Sequence, residues 1–185
     1  MTFTTPSSYT PPTICGYNTG QHIYLDSTRE SLTSNPSMTL TFDGTTFSRS
    51  WQIRVDQIPC GTPYTPPTGC LQYMIESSGN FKSFNYGIND DDYHSLGTQD
   101  YAICFRRNKG KCKIEYSAAV NEGESFYTSQ TPTTPAVRSK AGESGCPADY
   151  LNIPNAGNSI QGQSVCQVES GYFNKMIILN RILFH

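Results

Sequence analysis

Seven cysteines spread along a chain of 185 residues most strongly constrain how this sequence can fold. None of them belongs to a Cys-x-x-Cys pair, and the three histidines, His22, His94 and His185, are scattered. Because a zinc site needs closely spaced cysteine and histidine ligands, this pattern favours disulfides formed in an oxidising compartment. The odd number leaves one thiol unpaired or bonded outside the chain.

The composition favours an all-β fold. Glycine (15 residues) and proline (12 residues) interrupt the chain too often for long helices. Only 36% of the residues are hydrophobic, but 12 tyrosines and 9 phenylalanines can each bury a large area. The net charge of −2 gives no reason to expect a nucleic-acid partner, and no segment approaches the ~20 apolar residues of a membrane span.

The first residues give no route to secretion. Residues 1–12 are polar and lack the charged start and apolar stretch of a signal peptide. Since the cysteines indicate an oxidising compartment, we expect a secreted, extracellular protein whose signal peptide is absent from this chain.

Alternating apolar residues predict the strands. Trp51, Ile53 and Val55 share one face of the clearest strand in the first part of the chain, which predicts Trp51 in the core. An Asn108–Gly110 turn should follow a strand at 101–105 and precede a returning strand at 112–116. Other predicted strands are 21–26, 37–42, 71–75, 81–86 and 151–153. Residues 176–184 are apolar and out of character with the rest of the chain.

Three sets of residues carry a family resemblance. Gly69-Cys70 and Gly79, followed by Ser83 to Tyr86, resemble the opening of a CUB domain, with Phe84 in place of the usual proline. The segment from Cys146 to Ile153, with Cys166, resembles the part of a CUB domain that carries its second disulfide. Cys15-Gly16 resembles the Cys-Gly pair that closes this disulfide. The order of these motifs is similar to that in CUB domains, and in particular in CUB-like modules of secreted arthropod proteins.

The resemblance implies a CUB-like antiparallel β-sandwich of the jelly-roll type, present as an incomplete tandem. Residues 1–59 would be the C-terminal half of a first module, 60–168 a second module without its last strands, and 169–185 an aberrant apolar tail. Alternatively, the strands of the first block complete the second module, and the chain is one sandwich.

The resemblance also implies disulfides. Cys146–Cys166 would be the second CUB bridge and Cys70–Cys104 the first, which leaves Cys60 and Cys112 as the remaining pair and Cys15 unpaired. The rival set is Cys60–Cys70 with Cys104–Cys112. Strand parity argues against the rival, because Cys104 lies on the opposite face from Ile103 and Phe105, whereas Cys112 shares the core face with Ile114. A β-bulge would reverse that argument.

The sequence gives little support for metal binding or catalysis. The run Asp90 to Asp92 lacks the alternating spacing of a calcium loop. Some CUB domains bind calcium through a glutamate and two aspartates, but only Asp149, and Asp43 in the first block, fall on such positions. His22 belongs to no catalytic motif, since neither G-x-S-x-G nor H-E-x-x-H occurs. We therefore expect no metal, no cofactor and no enzyme activity.

Four basic residues make a candidate binding surface: Arg106, Arg107, Lys109 and Lys111. They surround the predicted turn and could bind an acidic partner or a glycan sulfate, although a solvated turn is the simpler interpretation. The resemblance implies an extracellular CUB module that binds a protein or carbohydrate ligand without catalysis. The alternative is a non-catalytic accessory fragment of a larger secreted enzyme, such as a CUB-containing metalloprotease.

Overall fold

All regular secondary structure in the described residues is β. The computed structural model describes residues 1–7, 9–27, 35–42, 44, 48–86, 96–111 and 114, and the backbone of the strands at 126–127, 150–152, 175–179 and 183–184. The strands are β1 (Thr2–Thr4), β2 (Ser37–Thr39), β3 (Gln72–Met74), β4 (Asp100–Phe105), β5 (Phe126–Tyr127), β6 (Tyr150–Asn152), β7 (Lys175–Leu179) and β8 (Leu183–Phe184). No candidate membrane-spanning helix occurs among these described residues.

The main sheet has four strands in the order β3-β4-β7-β6. β4 pairs in parallel with β3, so that Tyr73 lies opposite Cys104. On its other side β4 pairs antiparallel with β7, which in turn pairs antiparallel with β6. The parallel pair departs from the antiparallel sandwich that the resemblance implied. Residues 75–99 separate the two strands, which is long enough for the crossover connection that parallel pairing requires. Two further sheets are the antiparallel pairs β1-β2 and β5-β8.

The apolar segment near the end of the chain is part of this sheet. β7 lies between β4 and β6, with Tyr101 opposite Ile178 and Ile103 opposite Met176. The sequence indicated an aberrant tail here, whereas the structure uses these residues as an interior strand. A continuous apolar run is typical of a strand in the interior of a sheet.

Both faces of β4 are buried, by two different clusters. Tyr101 and Ile103 are 2% and 0% exposed and belong to the larger cluster, while Ala102 and Cys104 belong to a smaller one with Cys70 and Tyr73. Successive side chains of a strand point to opposite faces. The strand predicted at 101–105 is therefore confirmed, and the structure adds that it is buried on both faces.

The larger cluster unites the beginning of the chain with its middle. Phe3 and Ile14 are buried together with Leu71, Phe84 and the apolar face of β4. Met1 and Ile14 are joined by hydrogen bonds in both directions, and the Tyr24 amide donates to the Leu71 carbonyl at 2.8 Å. Residues from both sides of position 59 therefore share one hydrophobic cluster. The division into modules at residue 59 stays a prediction.

The structure contradicts the expectation for Trp51. Residues 48–59 form no strand, and Trp51 is 59% exposed. The prediction that Trp51 lies in the core is wrong, because no described strand pairs with this segment and its apolar face has no sheet to pack against. Residues 21–26 also form no strand, but Ile23 and Leu25 pack against the larger cluster.

Candidate functional site

The candidate site is the basic turn, defined here as residues 106–111. It follows β4 directly, and the Arg106 amide donates to the Met74 carbonyl at 2.8 Å, which continues the parallel β3-β4 pairing. The Arg106 Nη2 atom donates to the Asn108 Oδ1 atom at 3.3 Å. The first residue of the turn is therefore attached to the sheet.

A backbone hydrogen bond closes the basic turn. The Lys111 amide donates to the Asn108 carbonyl at 3.0 Å, and Gly110 adopts a φ of +78°, which glycine reaches without steric cost. This confirms the turn predicted at 108–110. Arg107, Lys109 and Lys111 are exposed, and Arg106 is half-buried.

The charge of the basic turn is not neutralised by the described part of the chain. Four of its six residues are cationic, and none of them forms an ion pair with a described carboxylate. The ion pair found among the described residues joins Arg54 and Asp56, outside the turn. An exposed cluster of one charge attracts oppositely charged partners and accelerates their association.

A disulfide joins β4, from which the basic turn projects, to the segment just before β3. Cys70 and Cys104 are bonded, with Cα atoms 5.7 Å apart, and their residues are 6% and 3% exposed. Cys104 lies on the face of β4 opposite Ile103, as strand parity predicted. The structure thus contains the first CUB bridge and not the rival pairing of Cys70 with Cys60.

The other cysteines are placed as follows. Cys15 and Cys60 are exposed and free. Cys112, Cys146 and Cys166 lie outside the described residues. Because Cys60 is free, the structure contradicts its predicted pairing with Cys112. The Cys146–Cys166 bridge stays a prediction.

Comparison with known families agrees with this geometry. The profile of the animal CUB domain matches residues 67–176, which is 110 of the 185 residues. The chain belongs to the CUB-domain family. No curated protein and no solved structure matches it. A CUB domain is a β-sandwich, a type of module that is generally non-catalytic and typically extracellular, and the strands and the buried disulfide agree with that class.

Two of the motifs that indicated a CUB domain contact each other. The Asn85 Oδ1 atom accepts a hydrogen bond from the Tyr17 amide at 2.9 Å, and the Asn85 amide donates to the Asn18 Oδ1 atom at 3.0 Å. Gly16, at a φ of +74°, lies so close that a Cβ atom there would overlap the Asn85 side chain. Gly16 and Asn85 each belong to a motif identified in the sequence. Their contact was not predictable, because no local pattern relates positions 69 residues apart.

A buried amide network joins the first 22 residues to the CUB sheet. Gln72 is 0% exposed, and its Nε2 atom donates to the Gln21 Oε1 atom at 2.8 Å and to the His22 carbonyl at 3.0 Å. The Gln21 Nε2 atom in turn donates to the carbonyls of Lys82 and Ser83. Sequence reasoning missed this network, because a glutamine between apolar residues of a strand gives no sign that it is buried.

His22 lies beside this network. Its ring makes an edge-to-face contact with Tyr24 at 5.6 Å between centroids, and the Tyr73 amide donates to its Nε2 atom at 3.4 Å, a long hydrogen bond. Partial burial of the ring lowers the pKa of His22 below its ordinary value of 6.5.

The lowered pKa of His22 predicts a pH dependence of stability. A histidine that binds a proton less tightly in the folded state makes the free energy of unfolding rise with pH, from its folded-state pKa up to its unfolded-state value. We therefore expect the wild-type chain to lose stability relative to His22→Gln as the pH falls from about 7.5 to about 5. Urea unfolding of both proteins across this range measures the difference. Parallel stability curves for the two proteins would contradict the prediction.

The described residues provide no group of three histidine, cysteine or carboxylate side chains that could hold a metal ion. The acidic candidates, Asp43, Asp90 to Asp92 and Asp149, lie outside the described part of the chain. Of the binding sites considered from the sequence, the basic turn is therefore the one that lies within the described residues.

Proposed function

We propose that this CUB domain is an extracellular binding module that recognises an acidic segment of a partner protein through its basic turn. The observation that supports the proposal is the exposure of Arg107, Lys109 and Lys111 on a hydrogen-bonded turn with no ion pair to a described carboxylate. A protein ligand is favoured over a carbohydrate because CUB domains are generally modules of protein interaction.

The attachment of the turn to the sheet supports this proposal. Its first residue is hydrogen-bonded to β3, and the Cys70–Cys104 disulfide links β4 to the residues that directly precede β3. A binding surface that is ordered before the ligand arrives loses less conformational entropy on association. Exposed charges at the rim of an interface act mainly on the association rate and its salt dependence.

The test is binding of a fluorescein-labelled poly-glutamate peptide to the full chain, measured by fluorescence anisotropy. We expect Lys109→Glu to weaken binding about fivefold to tenfold, since an exposed charge pair contributes up to ~1 kcal/mol and the substitution turns attraction into repulsion. Arg54→Glu is the matched control, because it makes the same charge change at an exposed residue outside the turn. Added salt should weaken binding of the wild-type chain.

Three results would overturn the proposal. Equal losses in Lys109→Glu and Arg54→Glu would show an effect of overall charge. Absence of peptide binding at low salt would exclude acidic peptides as ligands of the turn. Binding of a heparin-derived oligosaccharide without binding of the peptide would assign the turn to a carbohydrate. The alternative role as an accessory fragment of a secreted enzyme is favoured by no observation in the described residues.

A further inference from the structure

An exposed segment precedes the part of the chain that matches the CUB profile. Residues 48–59, here called the apolar arm, are exposed throughout and pair with no described strand. Trp51, Ile53 and Val55 are 59%, 43% and 83% exposed. Side chains this apolar are usually covered when they occur together, so a contiguous exposed set indicates an interaction surface.

The ring of Trp51 has a defined neighbour. The Phe42 ring lies 5.3 Å from it between centroids, and the Arg49 guanidinium lies 5.6 Å from the centroid of the Phe42 ring. Phe42 is itself 51% exposed and adds to the apolar surface. The contact with Phe42 restricts the Trp51 ring before any partner arrives, which lowers the entropic cost of binding.

The sequence of the arm has the pattern of a strand. Its odd-numbered residues from 51 to 55 are apolar, and the even-numbered residues Gln52, Arg54 and Asp56 are polar. The Arg54 Nε atom lies 2.9 Å from the Asp56 Oδ2 atom, so these two charges balance each other. The polar side therefore carries no net charge that would repel a second copy.

We propose that two copies of this chain pair antiparallel through the apolar arm, with Ile53 of one copy opposite Ile53 of the other. This register places Trp51 opposite Val55 of the second copy, and it is the antiparallel register in which all three apolar residues face an apolar residue. Pairs of an aromatic and a β-branched side chain on neighbouring strands contribute about 0.2–1 kcal/mol each. The arrangement is two-fold symmetric, as most homodimers are.

The expected dimer is weak. A specific interface buries at least about 1,000 Å² in total, and each tryptophan can supply about 150–250 Å². Because Trp51 and Ile53 are only 59% and 43% exposed, part of their area is already covered, and the three side chains of each copy fall short of this limit. We therefore expect the dimer to dissociate on dilution.

Trp51 makes the test direct, because it is the single tryptophan of the chain. The full chain, with its exposed thiols blocked by iodoacetamide, is followed by sedimentation equilibrium and by tryptophan emission across a range of concentrations. We expect a monomer–dimer equilibrium in which emission shifts to shorter wavelength as the dimer forms. Blocking Cys15 and Cys60 prevents intermolecular disulfides from imitating the dimer.

Two aspartate substitutions test the register. Val55→Asp places a charge opposite Trp51 of the second copy and should weaken the dimer at least tenfold. Gln52→Asp adds the same charge opposite Arg54 of the second copy and should strengthen the dimer up to about fivefold, since an exposed ion pair contributes up to ~1 kcal/mol.

Three outcomes would overturn the proposal. The first is a monomer at every concentration with constant tryptophan emission. The second is a dimer that Val55→Asp leaves intact, and the third is equal weakening by both substitutions. Poly-glutamate binding is measured separately, so failure here leaves the proposed function of the basic turn unaffected.

Discussion

Replacing both Cys70 and Cys104 by alanine is expected to lower the free energy of unfolding by about 2–5 kcal/mol, the usual cost of removing a native disulfide from a small secreted domain. The bond joins residues 34 positions apart, and it links β4 to the segment just before β3, where both cysteines are buried. Its loss enlarges the unfolded ensemble and removes buried atoms from the smaller core cluster. Urea unfolding under oxidising conditions measures the change.

The control for this prediction is Cys15→Ala. Cys15 is exposed and free, so its replacement should change stability by no more than about 0.5 kcal/mol. A Cys70→Ala/Cys104→Ala variant as stable as the wild-type chain would contradict the pairing. A variant that fails to fold is consistent with it, provided that the Cys15→Ala protein folds normally.

Replacing Gly16 by alanine should destabilise the fold for two reasons. The φ of +74° costs an alanine about 1–2 kcal/mol. The added Cβ atom would also displace the Asn85 side chain and break its hydrogen bond with the Tyr17 amide. Together these effects predict a loss of about 2–4 kcal/mol in urea unfolding.

Gly20→Ala separates the two causes. Gly20 has a similar φ of +79°, but nothing lies within 4 Å of a Cβ atom built there. It should therefore show only the backbone cost. Combining Gly16→Ala with Asn85→Gly should recover part of the loss, because glycine fits the φ of +61° at position 85 and removes the clash. Equal destabilisation by Gly16→Ala and Gly20→Ala would show that the Asn85 contact contributes nothing.

Local patterns predicted the features that depend on neighbouring residues. The alternation from Tyr101 to Phe105 predicted β4 and the face on which Cys104 lies, and Asn108–Gly110 predicted the turn. The order of the cysteine motifs predicted the CUB family, which the profile match confirms. In each case the information is contained in a short stretch of sequence or in the spacing of a few motifs.

Features that depend on distant residues were not predictable in this way. The burial of Gln72 results from its contacts with Gln21 and His22, and the need for glycine at position 16 results from Asn85. Trp51 was wrongly predicted to be buried. An alternating apolar pattern leads to a buried strand only when a sheet is present for the apolar face to pack against. Periodicity identifies which side chains require burial but not what will cover them.

The most direct test of the proposed function is an NMR titration of the ¹⁵N-labelled full chain with poly-glutamate peptide. We predict that the largest changes in amide chemical shift fall on the basic turn, from Arg106 to Lys111. Smaller changes are expected at Met74, whose carbonyl accepts a hydrogen bond from the Arg106 amide. The changes should diminish as salt is added, because the contacts are exposed charges. Shift changes centred elsewhere, for example around Tyr17 and Lys82, or no changes at saturating peptide, would contradict the assignment of ligand binding to the basic turn.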